Sequence, residues 1–197
     1  DDLLRRDFTI NSIAYDLNKK VIIDKNNGVN DIKNKKLSLL HDNSIKDDPT
    51  RVIRAARYLA RLNLSLSNIS LMQIKETLEN WPWKYEKNQK FKQPEAITTR
   101  LNMELELLFK ESNYQYALFQ ISKWGGTKLF DIEGELSDEF FKSLNRAKRL
   151  QLDYKYILIL QSSDCQLICT RLKLSNQFIL SINQLKNFLF DKNILKI

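Results

Sequence analysis

The chain has 197 residues, 43% of them hydrophobic, with a net charge of +8 at neutral pH and a pI near 9.4. That is length and apolar content enough for one large domain or two small ones around a real core, and the positive excess favours polyanionic partners without naming one. No run approaches a membrane-spanning length and no charged-then-apolar leader opens the chain, so a soluble, cytoplasmic protein without a membrane partner is expected.

The opening stretch, "DDLLRRDFTINSIAYDL", starts abruptly in charged residues without an initiator methionine and reads as a piece of a longer protein. In its "RRDFTIN", Arg5 and Arg6 are suited to phosphates, and the acceptor-only carboxylate of Asp7 to a ribose hydroxyl. Alternatively, an Arg-Asp pair stitches a turn. Phe8 and Ile10 are spaced to face a core, leaving Thr9 and Asn11 polar. Two β-branched or leucine-rich runs follow, Val21 to Ile23 and Leu37 to Leu40, separated by an Asn/Gly/Asp turn. They predict a small antiparallel strand element ending near Leu40.

From Asp48 helical periodicity dominates: Thr50 to Leu62, Ser70 to Asn80, Pro94 to Lys110, Tyr114 to Trp124, Asp138 to Leu150, and a group from Tyr154 to the C-terminus. Between two of these, "WPWKYEKNQKFKQ" is a polar and aromatic connection in which Trp81, Trp83 and Tyr85 anchor a loop or stack on RNA bases. Gly125 and Gly126 predict a helix end, and Asp131 to Gly134 another break. Cys165 and Cys169, four apart in an apolar stretch with no histidine nearby, predict buried thiols rather than a zinc site. The single histidine, His41, suits a loop or packing role, so a histidine-based catalytic dyad is not expected. There is no Walker loop and no dinucleotide fingerprint.

The segment "DDPTRVIRAARYLARL", Asp47 to Leu62, has the strongest pattern. At about 100° per residue its four arginines, Arg51, Arg54, Arg57 and Arg61, fall within an arc of roughly 120°, opposite valine, isoleucine, alanine and leucine. Asp47 or Asp48 can cap the first turn, and Pro49 suits the first helical position. No arginine has an acid at i+4. The negative charge must come from acids elsewhere in the fold, or from an anion such as a nucleotide phosphate or an RNA backbone, with which guanidinium pairs bidentately.

"DLLRRDFTINSIAYDL", "DKNNGVNDI", "DDPTRVIRAARYLARL" and "RLNMELELL" occur in the order and approximate spacing of the bacterial tRNA nucleotidyltransferase and poly(A) polymerase family, the class II nucleotidyltransferases. The resemblance covers Asp1 to Leu108 and is loose beyond. It implies an α+β, mostly helical fold: residues 1–45 the end of a nucleotidyltransferase head with its short antiparallel element, 46–112 a helical neck that recognises nucleotide and binds RNA, and 113–197 a helical body. By resemblance, Arg6 and Asp7 contact the incoming nucleotide, Asp7 through the ribose 2′-hydroxyl. Asp48 and Arg51 read the edge of the base, and Arg54 and Arg57 also serve the nucleotide. Arg5, Asn11, Asp31, Asp47, Arg100 and Glu104 are implied as supporting residues, Asp31 in a flexible element that couples binding to head movement, and Arg100 with Glu104 as an i, i+4 pair. Arg61 lies a turn beyond the family's matching positions.

The family's catalytic strand, whose two aspartates hold Mg2+, lies upstream of "RRDFTIN" and has no counterpart here. The chain alone is therefore expected to be inactive, and no catalytic or metal-binding residue is assigned within it. The implied activity of the intact enzyme is addition of nucleotides from CTP or ATP to the tRNA 3′ end. The alternatives are a poly(A) polymerase of the same family or a non-catalytic RNA-binding module. "DDPTR" is more like the subset that includes A-adding enzymes, since many CCA-adding members carry glutamate at the position of Asp47.

Overall fold

The computed structural model describes residues 2–80 and 95–194; the aromatic positions Trp81, Trp83 and Tyr85 lie outside the described residues. Two compact units emerge: Asp1–Lys84 with Met103–Gly126, and Tyr85–Asn102 with Thr127–Ile197. Helices prevail over two small sheets, an α+β architecture.

The first unit begins with a hairpin of β1 (Ile13–Asp16) and β2 (Val21–Asp24), paired antiparallel with Ile13 opposite Asp24 and Asp16 opposite Val21. The Asp16 carboxylate caps the turn by accepting from the backbone N–H groups of Asn18 and Lys19. The antiparallel element is thus present, but the run Leu37 to Leu40 is not part of it. Asn27 takes a left-handed conformation (φ 60°) and starts helix α1 (Gly28–Lys33), so the presumed Asn/Gly/Asp turn is a helix. The Asp24 carboxylate explains why: its two oxygens accept from Gly28 N and Val29 N at 2.8 Å each, satisfying two N–H groups that have no intrahelical partner. The Val29 hydrogen bond in particular holds the Asp24 carboxyl below its ordinary pKa.

Beyond α1, strand β3 (Lys36–Leu37) pairs parallel with β4 (Ser65–Leu66), a long-range partner invisible to local pattern. Past the extended Phe8, the "FTIN" segment does not continue as a strand either. Thr9–Asn11 form a 3-10 turn, which replaces the in-out alternation: Phe8 and Thr9 are both buried and Ile10 only half-buried. A single antiparallel bridge joins Phe8 to Leu39, with Thr9 N donating to Ser38 O and Leu40 N to Asp7 O, both at 3.0 Å.

Short helix α2 (Ser44–Asp47) leads into α3 (Arg51–Leu62). Asp48 does not cap α3 itself: its Oδ1 accepts from Thr50 N (3.1 Å) and Thr50 Oγ1 (2.6 Å), ordering the turn before the helix, and Pro49 lies two residues ahead of the first helical residue. Val52, Ile53, Ala55, Ala56 and Leu59 are buried. The small alanines let α3 lie close along α6 (Tyr114–Lys123), whose Ala117, Leu118 and Ile121 are fully buried. Each large aliphatic side chain buried here contributes about 1.5–3 kcal/mol. Asn63 ends α3 at φ 51°, and Gly125, at φ 79°, follows the end of α6. Between them come α4 (Asn68–Asn80) and α5 (Glu95–Phe109); α5 buries Leu105 and Leu108 in the first unit.

The second unit contains α7 (Asp138–Arg149), α8 (Tyr154–Leu160), α9 (Cys165–Arg171) and α10 (Asn176–Ile194), so the C-terminal group divides into three helices. Side-chain caps set three starts: Ser137 accepts from Phe140 N, Asp153 from Lys155 N, and Asp164 from Gln166 N and Leu167 N. Phe140, Leu144, Leu158, Ile159, Ile168 and Leu172 form the core, and Tyr156 stacks on Phe178 with ring centres 4.3 Å apart. Cys165 and Cys169 are buried free thiols, and burial pushes the Cys169 thiol pKa up.

Gly28 is needed where α1 crosses the 3-10 turn, because a Cβ there would stand 2.2 Å from the Thr9 carbonyl oxygen. Gly28→Ala is expected to destabilise the chain by about 1–3 kcal/mol, read as a lower urea midpoint with an unchanged slope.

Candidate functional site

Phe8 anchors the site. It is fully buried and meets the Tyr58 ring of α3 edge-on, with centroids 5.4 Å apart. That packing, with the bridge to Leu39, fixes the backbone of Asp7 beside α3. Asp7 is buried, and its Oδ1 accepts from Asn11 Nδ2 at 2.6 Å while Oδ2 accepts from Arg54 Nη1 at 2.7 Å. Asn11 Oδ1 in turn accepts from Phe8 N at 3.2 Å, so the small loop closes on itself.

Arg54 bridges to a second carboxylate. Its Nε and Nη2 donate to Glu104 Oε1 at 3.1 and 2.8 Å. Burial disfavours charge on Arg54, yet Asp7 and Glu104 outweigh it and drive the guanidinium pKa still higher than usual. The other Glu104 oxygen, Oε2, accepts from Arg57 Nη1 at 2.5 Å, and both side chains are only 7% exposed. Arg57 Nε donates to Glu111 Oε1 at 3.3 Å, while Arg61 donates to Glu111 through Nε at 3.1 Å and through Nη2. The hydrogen bond from Arg61, opposed by burial, holds the Glu111 carboxyl below its ordinary pKa, and the same bond raises that of Arg61.

Asp7, Arg54, Glu104, Arg57, Glu111 and Arg61 therefore form one alternating line of charge, within the first unit. The acids that α3 lacks at i+4 come from elsewhere in the fold. Glu111 is the member that sequence reasoning overlooked. It stands seven residues after Glu104, just past the end of α5, and that near-two-turn spacing is the signal that could have found it.

The remaining positions are distributed around this line. Arg51 Nη1 donates to Ser44 O at 3.1 Å, and Arg51 N to Asp48 O at 3.1 Å, so Arg51 and the buried Asp48 belong to one turn at the N-terminus of α3. Asp31 is brought in from α1, accepting from Thr9 Oγ1 at 2.6 Å. Arg6 is exposed and paired with Asp2 at 2.6 Å, and Arg5 and Asp47 are exposed. Arg100 is exposed on α5. His41 takes the loop role expected of it, its Nε2 lying against Leu4 O. The described residues contain no group of three His, Cys, Asp or Glu able to hold a metal ion, and Asp7, Glu104 and Glu111 are engaged by arginine, so this arrangement does not fit Mg2+.

Two expected outcomes follow from the buried pair. Arg57→Met leaves Glu104 buried without its second partner and is expected to cost about 3–5 kcal/mol by denaturant unfolding; adding Glu104→Gln should recover part of that loss. The Glu111 carboxyl has a depressed folded pKa, so its stabilising contribution is present above the ordinary glutamate range, about 4.3, and is lost as pH falls through the folded value. The acid limb of a stability-against-pH curve should be shallower in Glu111→Gln than in the parent chain.

The chain is similar to known proteins in sequence and in fold. Residues 1–38 match the Poly A polymerase head domain. An A-adding tRNA nucleotidyltransferase of Aquifex aeolicus is 34% identical over 117 residues, 58% of this chain and 13% of that protein. A CCA-adding enzyme of Francisella tularensis subsp. novicida is 48% identical over 84 residues, 40% of this chain and 22% of that protein. The chain thus spans a minor part of the length of these curated relatives. Among solved structures, the Thermotoga maritima CCA-adding enzyme complexed with tRNA-CCA superposes with a TM-score of 0.73 at 24% identity, covering 94% of this chain and 47% of that one. A CCA-adding enzyme with CTP gives 0.73 at 22% identity, covering 94% and 46%. The chain is thus similar over part of its length to bacterial tRNA nucleotidyltransferases and to the Poly A polymerase head domain, and shares the fold of CCA-adding enzymes.

Proposed function

We propose that the chain is the nucleotide-recognition and RNA-binding part of a tRNA nucleotidyltransferase of the CCA- or A-adding type, whose whole form adds nucleotides from CTP or ATP to the tRNA 3′ end. The observation that carries this reading is the meeting of Asp7 with Arg54 at 2.7 Å across 47 residues of sequence, on the helix that begins at Arg51, with Asp48 in the turn just before it. Two separate motifs of the family are thereby joined in one site.

In this reading, Asp7 accepts a hydrogen bond from the ribose 2′-hydroxyl, its lone pairs not engaged by Asn11 and Arg54 being available for it. Asp48 accepts from an exocyclic amine of the base, and Arg51 donates to a ring nitrogen or carbonyl oxygen. Arg6 meets phosphate, with Asp2 as its counter-charge until an anion replaces it. Arg54 and Arg57 serve the nucleotide through the carboxylates they hold, Arg54 on Asp7 and both on Glu104. The metal-assisted transfer step is assigned to no residue of this chain. Lysine and arginine side chains of the helical part hold RNA through its phosphates, so affinity for tRNA falls steeply with salt. The Asp47–Asp48 pair is like that of the subset that includes A-adding enzymes, so ATP is tested beside CTP.

Equilibrium binding of ATP and CTP to the 197-residue chain tests this. Binding of at least one is expected, weakened about tenfold in Arg51→Met, the effect of one lost base contact of about 1.4 kcal/mol. Absence of binding to both nucleotides, or an Arg51→Met variant that binds as the parent does, overturns the reading.

A further inference from the structure

Arg61 and Glu111 lie outside the positions that the family resemblance assigns, yet they end the line of charge that begins at Asp7. We propose that Glu111 is a positioning residue for the nucleotide site, acting through Arg57, Glu104 and Arg54 on the Asp7 carboxylate. The inference rests on the reading of Asp7 as the acceptor of the ribose 2′-hydroxyl.

The argument is one of shared partners. Glu104 has two carboxylate oxygens and serves two arginines, Oε1 for Arg54 and Oε2 for Arg57. This division is stable only if Arg57 has somewhere else to place its Nε, and Glu111 Oε1 is that place, at 3.3 Å. With Glu111 present, three carboxylates face three guanidinium groups. Without its charge, Arg57 competes with Arg54 for Glu104. Arg57 is 7% exposed and has little access to water as a substitute, whereas Arg54 is 32% exposed and can yield toward solvent. Arg54 is therefore the group that moves, and it carries Nη1, one of the two donors that orient Asp7.

Glu111 is itself well fixed. Its backbone N–H donates to Leu108 O at 3.0 Å just beyond α5, and Arg61 grips both oxygens from the solvent side. A carboxylate used only for packing would need Arg57 alone. The added grip of Arg61 sets the direction from which Glu111 meets Arg57.

The discriminating measurement is the ratio of affinities for ATP and 2′-deoxy-ATP, taken on the full 197-residue chain and on Glu111→Gln and Glu111→Asp, with a thermal melt of each. The parent is expected to prefer ATP. Glu111→Gln should lower that preference about fivefold or more, within the range seen for coupled network residues, and Glu111→Asp, which keeps the charge on a shorter arm, should retain an intermediate preference. A lower melting temperature with an unchanged ratio in both variants overturns the proposal and leaves the nucleotide site standing. If Glu111→Gln fails to fold, Glu111→Asp decides: a ratio equal to that of the parent overturns the proposal. A parent chain that binds both ligands equally refutes the ribose role of Asp7 and the positioning role together. A parent that binds neither refutes the nucleotide site itself.

Discussion

Burial of the Arg57–Glu104 pair is the constraint around which the first unit is organised. Taking each ion out of water costs several kcal/mol, and their attraction offsets this only when geometry is good and the remaining donors and acceptors are filled. Here they are filled from both sides: Arg54 takes the second oxygen of Glu104, and Glu111 takes the Nε of Arg57. Three chain segments far apart in sequence are thereby held in one register, the "RRDF" loop, α3, and the end of α5 with the residues after it. A slip of α3 by one residue would strand charges in a place where water cannot reach them.

The same helix has a second duty on its other face. Val52, Ile53, Ala55, Ala56 and Leu59 are buried, and small alanines bring α3 against α6. Core packing therefore fixes the rotation of α3, and its rotation aims Arg54, Arg57 and Arg61 at their carboxylates. Side chains placed on a helix of this kind are held more closely than those on a loop, because neither the core face nor the charged face can adjust alone. Asp48 and Arg51 share in this rigidity through the turn that Thr50 and Ser44 tie down.

Nearer the chain start, precision comes from backbone rather than from charge. Phe8 fills the core against Tyr58, and the bridge to Leu39 locks its neighbours, which leaves Asp7 little freedom before any arginine approaches. Gly28 lets α1 lie on the 3-10 turn, and Thr9 ties that turn to Asp31. The positions that family resemblance marks as supporting, Asn11 and Asp31, are those that hold Asp7 and its loop by hydrogen bonds.

Helix periodicity and capping chemistry are local, and for that reason the amino-acid sequence by itself determined the helical character of the chain from Arg51 onward, the glycine end of α6, and the basic stripe of α3. Motif order likewise supplied the family resemblance and the candidate residues. Tertiary structure decided what no local pattern contains: that Lys36–Leu37 pairs with Ser65–Leu66, that the Asn/Gly segment is a helix capped by Asp24, and that Asp48 orders a turn before α3 rather than α3 itself. Above all it decided where the arginines find their counter-charge. A guanidinium carries the same charge whether it faces a phosphate, a carboxylate or water, so the stripe alone announces a need without its solution; only the folded positions of Asp7, Glu104 and Glu111 supply it.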